Sequence, residues 1–118
     1  MSDDTKPLTF NTADEWREWL SVNHDKIKEA WVILQNAGSP APGLRYTEAL
    51  DEALAYGWID GLMHSFDKGQ VVQRYTPRRP GSHWSEPNKA RIARLTLAGR
   101  MADSGLAAVE AAKRSGKW

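Results

Sequence analysis

The run from Trp58 to Pro77 constrains this fold more than any other stretch. Two β-prone segments, Trp58–Ser65 and Gln70–Pro77, flank Asp67-Lys68-Gly69. That triplet suits a three-residue hairpin loop with Gly69 in the left-handed position. The spacing predicts two paired antiparallel strands. If Phe66 faces Gln70, then His64 lies opposite Val72, Leu62 opposite Arg74 and Asp60 opposite Thr76. Alternation then puts Trp58, Asp60, Leu62, His64, Val72, Arg74 and Thr76 on one face, with Arg78 beyond them. Ile59, Gly61, Met63, Val71, Gln73 and Tyr75 take the other. The second set is the more apolar and is predicted to face the core. A slip of one residue would scramble the grouping.

The rest of the chain supplies one more strand and four helices. Thr12-Ala-Asp-Glu15 is a capping-box pattern, and Trp16, Trp19 and Leu20 follow at helical spacing. Ala30–Leu34 is a short apolar run suited to a buried strand. Asn36–Gly43 holds two prolines and two glycines and reads as a loop. Thr47 is a candidate cap for a helix carrying Leu50 and Leu54, and Gly57 is placed to stop it. The proline-rich Thr76–Pro87 stretch is expected to be irregular. Ser85 or Asn88 caps a basic helix over Lys89–Ala102, and a last helix runs from Asp103 or Ser104 to Lys113. The order is α-β-α-β-β-α-α, an α+β arrangement with a sheet of about three strands.

The 118 residues are expected to form one domain, 1–118. Six tryptophans promise much of its core, and the absence of cysteine excludes disulfides and thiol chemistry. Met1–Pro7 has no apolar stretch of the signal-peptide kind, and no apolar run approaches a membrane span. A soluble, cytoplasmic protein is expected. Residues 1–69 hold 6 basic and 12 acidic side chains, and residues 70–118 hold 10 and 3. Halves of opposite sign either offer a polar partner surface or face each other within one fold.

Candidate ligand-binding residues concentrate around the hairpin: Trp58, Asp60, His64, Arg74, Thr76, Arg78, Arg79, Ser82, Trp84 and Asn88. Arginine presents a planar fork that matches carboxylate or phosphate. Asp60 either pairs with an arginine structurally or orients Arg74 or Arg78 toward an anion. Asp60, Arg74, Arg78 and Ser82 are expected to converge. Ser82, Ser85 and Asn88 are also natural helix caps. His24, His64 and His83 lack paired metal-ligand spacing, and no glycine-rich phosphate loop is present. Asp51 and Glu52 point to different parts of a helix surface. No catalytic constellation, metal or cofactor motif emerges.

The motifs Trp19-Leu20 with Asn23-His24, Tyr46-x-Glu-Ala-Leu-Asp51, Gly57-Trp-Ile-Asp-Gly61 and Gln73-Arg-Tyr-Thr-Pro-Arg-Arg-Pro80 resemble the YdeI/OmpD-associated family, also called bacteriocin-protection proteins. Ser82-x-Trp84-Ser85-x-x-Asn88 and the closing Gly116-x-Trp118 extend that resemblance over most of the chain. It implies an α+β fold near the YjbR/CyaY-like superfamily. It also implies a bacterial stress-protection role, pursued by a non-enzymatic module that binds an anionic small molecule or a protein partner. The alternative is an enzyme acting on a phosphorylated or carboxylated small molecule with Asp60 or His64 as acid/base. Arg78, Arg79, Lys89, Arg91 and Arg94 are basic, but few aromatics interleave with them. Sequence-specific nucleic-acid binding is therefore not expected.

Overall fold

A computed structural model describes residues 6–118. Most of the Met1–Pro7 segment, considered above for signal-peptide character, lies outside the described residues. The order is α1 (Ala13–Asn23), β1 (Ala30–Gln35), α2 (Tyr46–Ala55), β2 (Trp58–Ser65), β3 (Gln70–Pro77), α3 (Glu86–Leu97) and α4 (Asp103–Arg114). The three strands form one antiparallel sheet in the order β1-β3-β2. The fold is α+β, as the sequence order predicts.

Local chemistry explains most element ends. Thr12 Oγ1 accepts from Glu15 N at 3.2 Å, and Glu15 reaches back to Asn11 N rather than to Thr12 N. Gly57 stops α2 at φ 82°, where no side chain sits comfortably. Ser85 caps α3. Two expectations fail. Thr47 lies inside α2, whose N-cap is Arg45, with Glu48 Oε1 accepting from Arg45 N at 2.9 Å. Helix α3 starts at Glu86, because Pro87 is tolerated in a first turn that needs no donor. It ends at Leu97, short of Ala102, because Gly99 turns left-handed and Arg100 N closes onto Leu95 O at 2.9 Å.

The hairpin register holds at its tip and shifts farther in. His64 pairs with Val72 and Met63 with Gln73, as predicted. Beyond Met63 the ladder bulges: Asp60 pairs with Tyr75 and Ile59 with Thr76. Gly61 and Leu62 together stand against Arg74, the signature of a β-bulge. The extra residue turns Trp58 and Asp60 onto the Tyr75 face and sends Ile59 to the other. The expected Asp60–Thr76 pairing is thereby overturned.

Two apolar clusters flank α2. Trp16, Leu20, Val32, Leu34, Ala49, Ala53, Trp58 and Tyr75 form one, against the Gln73–Tyr75 face. Leu50, Leu54, Trp84, Ile92, Leu95 and Val109 form the other, joined by Ile59. Trp31, expected in the buried strand core, instead lies half-buried on the opposite face and stacks on His64 at 5.7 Å. The alternation of β1 decides the face, since Ala30, Val32 and Leu34 fill the inner positions, while Ile33 on the face of Trp31 is itself buried.

The charged halves do face each other. Asp51 takes Arg91 and Arg94, while Glu52, on its own side of α2, takes Arg100 of the basic half and Arg17 of its own half at 2.8 Å each. Glu29 pairs with Arg74.

Candidate functional site

The predicted site residues divide among six surroundings. Trp58 is buried in the core, edge-on to Trp19 at 6.0 Å. Asn88 serves the α3 cap through its backbone N, 3.3 Å from Ser85 Oγ. Asp60 accepts from the Tyr46 hydroxyl at 2.8 Å and forms no ion pair among the described residues. Burial, then Asp60, holds the Tyr46 pKa above its ordinary value. The bulge accounts for this separation, because it turns Asp60 away from the face that carries Arg74 and Thr76.

Arg78, Ser82 and Trp84 form a second group. Arg78 Nη2 donates to Ser82 Oγ and to His83 O, both at 3.0 Å. Its guanidinium carbon lies 3.9 Å from the Trp84 ring centroid. Burial pulls the Arg78 pKa down, while the Asp60 charge opposes that shift. A half-buried guanidinium needs acceptors and a π face, and the loop supplies both from its own chain. Arg78 therefore clamps the proline-rich loop onto Trp84. The expected convergence of Asp60, Arg74, Arg78 and Ser82 reduces to the Arg78–Ser82 pair.

Arg74, Thr76 and Arg79 come together elsewhere. With Lys28 and Pro77 they line an open cleft of about 280 Å³. Strand β3 places Arg74 and Thr76 two residues apart on one face, and Arg79 follows where the chain leaves the sheet. Lys28 enters from the segment before β1. Glu29 holds Arg74 through its Nε. Lys28 and Arg79 make no ion pair with any described residue. The cleft thus holds three cations and the threonine against a single neighbouring carboxylate. Guanidinium and ammonium donors beside a hydroxyl suit the oxygens of a carboxylate or phosphate. The sequence offered little to reveal Lys28, since only the β1–β3 pairing brings its segment to Arg74.

His64 lies on the Arg74 face of the sheet, stacked on Trp31, while Asp60 lies on the Tyr75 face. The described residues contain no group of three or more His, Asp or Glu arranged to hold a metal ion. No helix among them is long and apolar enough to cross a membrane.

No curated protein and no solved structure matches the chain. Residues 8–108 match the family described as Domain of unknown function (DUF8412), and with most of its length inside that match the chain belongs to this family.

Proposed function

We propose that the 118 residues act as one cytoplasmic binding domain, without catalysis of its own, that takes an anionic small molecule in the Lys28–Arg74–Thr76–Arg79 cleft. The observation that carries this reading is the charge imbalance there: three cations line the cleft, and only Arg74 is neutralised by a described carboxylate. A bound anion would complete the balance. In this reading, which leans on the resemblance to the YdeI/OmpD-associated proteins, such binding would serve bacterial stress or bacteriocin protection. Binding is favoured over catalysis with Asp60 or His64 as acid/base because neither lines that cleft: Asp60 accepts from Tyr46 on the Tyr75 face, and His64 stacks on Trp31.

Thermal unfolding in increasing phosphate tests the proposal. A ligand that binds only the native state raises its stability in proportion to RT ln(1 + [L]/Kd). Wild type should gain melting temperature with phosphate beyond what equal ionic strength of chloride gives. Arg79→Ala, altered at an exposed position, should lose most of that excess. Equal protection of both proteins would refute the cleft as the anion site.

A further inference from the structure

We infer, resting on the anion-binding reading above, that the ligand is amphipathic: an apolar body, aromatic or acyl, with an acidic group at one end. The cationic cleft is not isolated. A second cleft of about 430 Å³ adjoins it, lined by Leu8, Trp19, Ile27, Trp31 and the charged Lys6, and Lys28 lines both. The two are joined at two further points. Trp31 stands directly opposite Arg74 across the β1–β3 ladder. Glu29, on the wall of the apolar cleft, pairs with Arg74 on the wall of the cationic one.

An apolar wall therefore runs into a cationic wall, with Lys28 at the corner. Ligand sites typically occupy about 300–1,000 Å³ and combine apolar lining with a few placed polar groups. The larger cleft has that size and lining, with few charged groups, and the smaller one adds Arg74 and Arg79 at its end. Ile27 is the telling residue. It sits between Lys26 and Lys28 in an otherwise polar turn, is 39 % exposed, and still contributes to the apolar wall. Inorganic phosphate would use only the cationic half and leave the wall of Ile27, Trp19 and Trp31 wet. An acid carrying a ring or short chain would cover that wall as its head reaches Lys28, Arg74 and Arg79. Trp19 and Trp31 offer ring surface, to which aromatic bodies add stacking contacts.

Titration calorimetry with three probes tests this: inorganic phosphate, phenol and phenyl phosphate. Phenyl phosphate should bind at least about tenfold more tightly than inorganic phosphate, a gain within what one buried apolar group supplies. Phenol, lacking the acid, should bind more weakly than phenyl phosphate. Ile27→Gln, at a position exposed enough to leave folding intact, should erase the phenyl advantage and leave inorganic phosphate unchanged. Lys28→Ala should weaken both phosphates. Equal affinity of wild type for the two phosphates would overturn the inference and leave the anion site standing. Phenol binding as tightly as phenyl phosphate would overturn it too. Failure of both phosphates to bind would sink the anion site along with it.

Discussion

Gln73 holds Gly61 from beneath the sheet. Its Nε2 donates to the Gly61 carbonyl at 2.9 Å and also lies 3.0 Å from that of Leu62, and the residue is only 1 % exposed. The amide occupies the gap that the β-bulge opens between β2 and β3. This contact matters because the bulge turns Trp58 into the core and Asp60 toward Tyr75.

Replacing Gln73 should therefore loosen more than one hydrogen bond. Gln73→Leu removes the donor and should cost about 1–3 kcal/mol, the usual range when polar partners are left unmatched. Gln73→Glu should cost more at neutral pH, because an ionised carboxylate would face two carbonyl oxygens. It should recover part of that loss as acid restores a donor. Urea denaturation of the two variants at neutral and acidic pH checks both signs. Losses below about 0.5 kcal/mol in both would show that the bulge forms without the amide.

The bulge also marks where sequence reasoning stops. Alternation and the Asp67-Lys68-Gly69 loop locate both strands of the hairpin, and Gly69 has the left-handed φ of 75° that such a loop requires. These are local signals. The slip at Gly61–Leu62 depends on a buried amide reaching across the ladder, which strand periodicity does not encode. The same limit applies at the site. Arg74, Thr76 and Arg79 are visible from β3 and its exit, but Arg74 meets Glu29 from 45 positions away. Trp31 shows a related limit: its apolar run is buried at every position from Ala30 to Leu34 except Trp31 itself, which stands near the strand's end on the Arg74 face and stays half-buried. Ser85, one of the two caps expected, does open helix α3, but sequence reasoning places the helix body three residues late and carries it past Leu97, because caps are decided by backbone geometry that several neighbouring residues can satisfy.

Glu52 should be among the costliest side chains to remove. It is 6 % exposed, and its two oxygens separately receive Arg17 and Arg100. Arg17 also donates to Arg100 O at 2.9 Å, so one carboxylate ties α1, α2 and the α3–α4 connection together. Glu52→Ala leaves two guanidinium groups without their partner and should cost about 3–5 kcal/mol, as breaking a buried pair does. Arg17 and Arg100 are partly exposed and can rehydrate, which sets the loss at the lower end of that range, and a loss below about 1 kcal/mol would show that the carboxylate does not hold the three elements together. Denaturant midpoints of wild type and variant distinguish these outcomes.

Tyr75 predicts an alkaline weakness. Burial, followed by Asp60, pushes its pKa well above 10.0, and Tyr46 is raised for the same reasons. The unfolded chain therefore releases these protons first as pH rises. With fewer protons bound in the unfolded state, stability falls with pH from about pH 10 upward and is fully present below it. The Tyr75 hydroxyl is also buried without a hydrogen-bond partner among the described residues. Tyr75→Phe should be neutral or stabilising by up to about 2 kcal/mol, since it removes an unpaired polar atom. It should also flatten the alkaline decline. Unfolding curves from pH 8 to about pH 11 for both proteins provide the check; an unchanged slope in the variant would contradict the assignment.

Gly105 should tolerate no side chain. A Cβ there would stand 2.1 Å from the carbonyl oxygen of Ala55, at the end of α2. Ala102 N donates to that same oxygen at 3.0 Å, and Ser104 Oγ donates to Tyr56 O at 2.9 Å. The start of α4 is thus docked on backbone atoms that cannot swing aside. Gly105→Ala should destabilise by at least about 1–3 kcal/mol, despite alanine's better helix propensity. A gain in melting temperature would show that α4 can shift away from α2.

Arg78 and Arg79 are sequence neighbours with opposite expected phenotypes. Arg78 spends its guanidinium on Ser82, His83 and the Trp84 ring. Arg79 is exposed and lines the cationic cleft, with no described carboxylate to pair with. Arg78→Ala should release the proline-rich loop and cost about 1–3 kcal/mol, summing a face-on cation–π contact with hydrogen bonds to a charged donor. Trp84, 8 % exposed, would then gain solvent, and tryptophan fluorescence should shift to the red. The phosphate protection of Arg78→Ala, measured as a rise above its own lowered baseline, should remain near that of wild type. Arg79→Ala should do the reverse, keeping wild-type stability in chloride and losing the phosphate increment. Melting curves of the two variants in chloride and in phosphate separate the roles. If Arg78→Ala keeps its stability and loses the increment, the anion sits against Trp84 and the assignment of the two arginines is exchanged.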